Sequence, residues 1–117
     1  MSSLATVRAG LVTRLKAAGL RATTDPRSVN PPCVLVGLAE GAMSTPCVFL
    51  GAIPVTVIAA AGAGHSDAAE WLDDTASTAA AVVGAVSWHA DTYPIATVPG
   101  GVLCYVLSAP AAWEVAP

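Results

Sequence analysis

Residues 47–86 read CVFLGAIPVTVIAAAGAGHSDAAEWLDDTASTAAAVVGAV. The first part, Cys47 to Ala61, is a nearly unbroken apolar run with β-branched residues at its centre, the pattern of a strand buried on both faces. Gly62-Ala63-Gly64 then interrupts it, and an Ala-rich segment from Ser66 to about Ala85 has the length and composition of a helix. Ser66 is placed to cap that helix, and Asp67 and Glu70 in the first turn suit the positive end of its dipole. Leu72, Ala76, Ala79, Val83 and Val86 form a stripe of small apolar residues that allows close packing onto a sheet. Trp71, Thr75, Thr78 and Val82 make the other side too apolar for a freely solvated face. A long strand handed to a long helix sets the class as α+β, and the rest of the chain is read against it.

Upstream, Leu4, Val7, Leu11, Leu15 and Ala18 recur at spacings of three and four, which predicts an amphipathic helix over Ser3–Ala18 with Gly19 as its left-handed stop. Leu20–Asp25 is extended, PRSVNPP (26–32) is a loop, and Cys33–Val36 is a short strand closed by Gly37. LAEGAMST (38–45) reads as a second loop. Pro54 lacks a donor and belongs on an edge or at a bulge, so the long run divides into one strand or two meeting at Gly51 or Pro54. Downstream of Trp88-His89-Ala90-Asp91, Thr92–Val98 and Val102–Leu107 are two strands joined at Pro99-Gly100-Gly101, with PAAWEVAP (110–117) a short tail. The expected fold is a single domain over 1–117, α+β, with a mixed or antiparallel sheet of four to five strands, two helices on one face and the order α-β-β-β-α-β-β.

Composition bounds the function. Of 117 residues, 55% are hydrophobic and only 11% charged, against about a quarter charged in an ordinary soluble domain. A surface that apolar points to self-association. Glu40 to Asp67 is an uncharged interval long enough to cross a bilayer, but its prolines, glycines and β-branched residues make a poor spanning helix. No membrane is expected, and no basic-then-apolar leader is visible. Cys33, Cys47 and Cys104 stand apart without a CxxC pair, as reduced packing residues do.

Charge is unevenly distributed. Arg8, Arg14, Lys16, Arg21 and Arg27 all fall in the first 27 residues with only Asp25, giving that segment +4; the remainder carries seven carboxylates and no Lys or Arg. Such polarity suits head-to-tail contact between copies; two solvated faces of opposite sign are the plainer reading.

The motifs that imitate chemistry are weak. Gly64-His65-Ser66-Asp67-Ala68 resembles a nucleophile elbow, for which His89 and Asp91 are the available partners, but the final glycine is Ala68 and the chain is short for that fold. Gly62-x-Gly64 echoes a dinucleotide loop, yet Asp67 would repel a pyrophosphate. His65 and His89 have no metal-ligand spacing, and Asp73 and Asp74, as neighbours on a helix, point apart. The basic residues lack aromatic interleaving and the overall balance is acidic, which argues against tight duplex binding. No catalytic residue, cofactor or metal is expected.

Four segments together carry a family likeness: LKAAGL (15–20) closing the first helix, SVNPPCVLVG (28–37) leading into a strand, PVTVIAAAGAGHSDAAEWLDD (54–74) and TYPIATVPGGVLCYVL (92–107). In their order and character they resemble the tail-terminator family of long-tailed bacteriophages, particularly those infecting actinobacteria. The resemblance implies a non-enzymatic virion protein of the tail neck, assembled in the host cytoplasm. It implies a six-subunit ring on the last ring of the tail tube protein, which stops tube polymerisation and docks the head connector or stopper protein, with DNA passing through the lumen without specific binding. Arg8, Arg14 and Lys16 on the first helix are the expected residues of one subunit contact. Asp67, Glu70, Asp73 and Asp74 on the second are the expected residues of another. Another neck component, or a small ligand-binding or hydrolytic α+β domain, is the alternative.

Overall fold

The computed structural model describes residues 4–45, 48–62 and 64–114. The elements follow as helix α1 (Leu4–Ala17), strand β1 (Ala22–Thr23), a 3-10 turn (Pro26–Ser28), β2 (Cys33–Val36), β3 (Glu40–Thr45), β4 (Val48–Ile58), helix α2 (His65–Val83), β5 (Ser87–Ile95) and β6 (Val98–Glu114). The sheet order is β1-β2-β4-β6-β5, with β3 pairing to the far part of β4. β1 and β2 are parallel and every other pairing is antiparallel. The α+β class and the two helices stand as expected; the sheet has six strands and the order is α-β-β-β-β-α-β-β.

α1 ends as its sequence predicts. Gly19 takes φ +87°, and the Leu20 N–H donates to the Leu15 carbonyl to close the last turn. Leu11 and Leu15 are buried, Leu4 and Val7 pack at the margin, and Ala18 is exposed beyond the helix end. In α2, Leu72, Ala76, Ala79 and Val83 are buried as a stripe against the sheet, whereas Val86 lies past the helix and is exposed. On its flank, Trp71 and Val82 are half-buried, Thr75 is buried and Thr78 is exposed. The cap differs from expectation. Gly64, extended at φ −62° and ψ 153°, is the N-cap, so Ser66 falls inside the first turn and makes no cap bond. The expected Ser3 cap on α1 lies outside the described residues, as does Cys47.

The helices pack side by side against one sheet face. Val34 and Val36 of β2, Ile53, Val55 and Val57 of β4, and Leu107 and Ala109 of β6 form its buried floor. Each fully buried branched side chain there contributes about 1.5–3 kcal/mol by leaving water. The opposite face is closed at one end only. There Cys33, Ile58, Val102 and Cys104 are buried, while the loop residues Val29 and Pro31 border a cleft with Tyr93 and Ile95.

Three local expectations are corrected. LAEGAMST is not a loop, because Glu40–Thr45 forms β3 against β4. Pro54 lies inside one continuous strand that has neighbours on both sides. Its carbonyl accepts from the Gly37 N–H, so its nitrogen also faces the end of β2, and its missing donor costs the return bond to Gly37 but none to β6. The hairpin turn is Ala96-Thr97, not Pro99-Gly100-Gly101. Tyr93 pairs with Val102 and Ile95 with Val98, so the Pro-Gly-Gly segment is accommodated as a bulge. Both glycines have φ +79°, and a Cβ on Gly101 would lie 2.6 Å from the Tyr93 carbonyl oxygen. β5 therefore starts at Ser87, taking in Trp88–Asp91, and β6 continues through the supposed tail to Glu114.

The length of β6 shapes the molecule. Its first part pairs with β5 up to Ser108, and its second pairs with β4 from Cys104 to Glu114. Seventeen residues at about 3.3 Å each account for the longest dimension of the 49 × 27 × 22 Å envelope. Beyond Ile53 and Ala109, β3, β4 and β6 run on as a three-stranded arm.

Candidate assembly surfaces

Three surfaces stand out once the fold is built. The first is the arm. Leu50 is half exposed, Pro110 and Ala112 are exposed, and residues 40–45, 48–53 and 109–114 carry no charge except Glu40 and Glu114. Among the described residues β6 pairs with β4 alone past Ser108, and β3 pairs with β4 alone, so the arm has two open edges of backbone donors and acceptors. Open edges of low charge are templates for pairing with another chain. Gly41 and Gly51 face each other across β3 and β4, and a Cβ on either would run into the other strand's backbone.

The second surface is the edge strand β5 with the groove it makes beside α2. Trp88 is 65% exposed, and its ring meets that of Tyr105 edge-on, with centroids 5.1 Å apart and planes at 68°. The Tyr105 hydroxyl donates to Asp73 Oδ1 at 2.9 Å. That bond, together with the neighbouring negative charge, raises the Tyr105 hydroxyl above its usual pKa. Asp73, Ala76, Ala80, Trp88, Tyr105 and Leu107 enclose a groove of about 340 Å³. A second hollow of about 290 Å³ lies on the other sheet face, between Glu40, Pro54, His89 and Ser108.

The third is the charged skin. Arg14 and Lys16 are exposed in the last turn of α1, where the helix dipole favours them. Asp67, Glu70 and Asp74 are exposed on α2. The one ion pair among the described residues is Arg27 with Asp25, at 3.2 Å. Arg27 also donates its backbone N–H to Asp25 and holds that carboxyl below the usual range. Arg8 belongs elsewhere. Its guanidinium Nη2 donates to the Val36 carbonyl at 3.1 Å and to the Thr24 carbonyl at 3.3 Å, tying α1 to β1 and β2 within the subunit. The four acidic positions thus share α2, while Arg8 is separated from Arg14 and Lys16 in role.

Sequence reasoning missed the arm, the Arg8 clamp and the Trp88–Tyr105 groove. The apolar, nearly uncharged composition of 41–53 and 109–113 was the available signal for the first. The residues of the hydrolase-like motif do not come together: Ser66 is exposed at the start of α2, on the helical side. His89 and Asp91 occupy alternate positions of β5 in register with Val106 and Cys104, on the opposite sheet face. No cluster of three His, Cys, Asp or Glu side chains suited to a metal occurs among the described residues, and no helix among them is long and apolar enough to cross a membrane. Compared with known proteins, the chain matches no family model and no curated sequence.

Proposed function

We propose that this chain is a structural subunit of a bacteriophage tail neck, a tail terminator whose copies form a ring on the end of the tail tube, stop its growth and join it to the head connector. The observation that carries this reading is the three-stranded arm. An isolated subunit leaves it with two unpaired edges and apolar residues such as Leu50 and Ala112 in water, and an assembly of identical copies removes both liabilities. The uneven charge fits the same arrangement, since a basic segment of one copy can face the acidic α2 of the next. An acidic balance in the rest of the chain also suits a lumen through which DNA slides, because phosphates meet few cations there. The likeness of the four sequence segments to tail terminators supplies the specific identity.

Electron microscopy and native mass spectrometry of the purified protein test the reading, with polymerising tail tube protein as the second component. Closed rings, and tubes that stop growing when the protein is added, are the expected result. A protein that stays monomeric at high concentration and leaves tube length unchanged would overturn it.

A further inference from the structure

We propose that the groove between α2 and β5 is the socket for the Arg21 guanidinium, from the β1 edge of a second copy. The proposal rests on the reading that copies of this chain assemble, and it names the contact.

The socket has the chemistry of a cation site. Trp88 stands over it with most of its ring in solvent, Tyr105 forms its inner wall, and the Asp73 carboxylate sits at its rim, fixed by the 2.9 Å bond from the Tyr105 hydroxyl. That bond occupies Oδ1 and leaves Oδ2 for a further donor. Ala76 and Ala80 keep the α2 side shallow, so a planar group has room beside the indole. Aromatic faces with an adjacent carboxylate attract cations, and arginine stacks on such faces better than lysine does.

The occupant has to come from another copy. Arg14, Lys16 and Arg21 are exposed, and none has a carboxylate within ion-pair reach among the described residues. Arg21 immediately precedes β1, at one edge of the sheet, whereas Trp88 lies on β5, at the other. Four strand-to-strand steps of about 4.8 Å separate those edges, or roughly 19 Å, far beyond the reach of a side chain. A neighbour set edge to edge brings its basic edge to this socket and leaves its own socket open for the next. The contact is therefore heterologous, the kind that closes into rings.

Sedimentation equilibrium on the wild type, Trp88→Ala, Asp73→Lys and Arg21→Glu tests this. All the altered side chains are exposed, and far-ultraviolet circular dichroism checks that each variant folds. Trp88→Ala should weaken association by roughly thirtyfold, the effect of losing an aromatic anchor. Asp73→Lys should abolish it, and added salt should weaken the wild type. Asp73→Lys mixed with Arg21→Glu should recover association through the reversed pair. Wild-type association unchanged in Trp88→Ala and Asp73→Lys overturns the socket while leaving self-assembly intact. A wild type that never associates removes both.

Discussion

Replacing Arg8 should cost far more stability than replacing any other basic residue. Its Nη2 bridges two backbone carbonyls from different elements, Thr24 after β1 and Val36 at the end of β2, and no side chain is involved. Each hydrogen bond from a charged donor is worth about 1.5–3 kcal/mol, and the longer of these two belongs at the bottom of that range. Against them stands the Arg8 Nε, buried without a partner, which takes back about 1 kcal/mol. The net loss for Arg8→Met, which keeps the aliphatic stem, is then about 2 kcal/mol. In a domain of this size that corresponds to a fall in Tm of roughly 8 °C. Urea titration followed by circular dichroism measures it, with Arg14→Met as the control, expected within about 0.5 kcal/mol of wild type. Arg8→Lys should recover part of the loss, because an ammonium can reach one carbonyl but does not span both as a guanidinium does. A cost for Arg8→Met no larger than the Arg14→Met control would show that the clamp contributes nothing and that Arg8 is an ordinary solvated arginine.

Leu15 is fully buried beneath α1, so Leu15→Ala should destabilise by about 3 kcal/mol or more through lost burial and the cavity left behind, read from the urea midpoint. Gly100 and Gly101 share φ +79°, but only Gly101 faces the Tyr93 carbonyl. Gly100→Ala should cost about 1–2 kcal/mol in backbone strain, and Gly101→Ala distinctly more, with faster hydrogen exchange along β5. Burial pushes the Cys104 thiol up to about 11 from an ordinary 9.0, with Asp91 adding to the shift, and raises Cys33 as well. Both thiols should resist iodoacetamide at pH 8 in the native protein. Because the folded value exceeds the unfolded one, stability should be undiminished below pH 9 and fall as pH rises toward 11. The fall should be smaller in Cys104→Ala when urea midpoints are compared at the two ends of that window.

What was legible in the sequence was what local periodicity encodes. The three-and-four spacing of Leu4, Val7, Leu11 and Leu15 and the small-residue stripe of α2 each specify one buried face, and Gly19 stops the first helix where a left-handed residue is needed. What was not legible depends on partners distant in the chain. Glu40–Thr45 carries no alternation of its own; it is a strand because Gly41 meets Gly51 on β4 at a distance that excludes side chains. Pro99-Gly100-Gly101 has turn chemistry, yet the register from Tyr93 to Val102 makes it a bulge and moves the turn to Ala96-Thr97. Pro54 looks like an interruption until it is seen beside Gly37, at the end of β2. For the surfaces, the exposed acids on α2 could be listed from a helical pattern. Arg8 could not be told from Arg14, because its partners are carbonyls that no side-chain pattern reveals. Trp88 and Tyr105, seventeen residues apart, meet only through the pairing of β5 with β6.

The continuity of β4 and β6 through body and arm has a mechanical consequence. Neither strand is interrupted where the helices end, and the two are in register over eleven residue pairs, from Val48 with Glu114 to Ile58 with Cys104. A tug along the arm therefore loads those rungs together, in shear, and reaches the packed interior without a pliable joint between. A sideways load would instead strip β3 first, since it is a short strand held by β4 alone, whereas β6, equally one-sided there, continues into the body. The projection is stiff along its length and gives way at its flank.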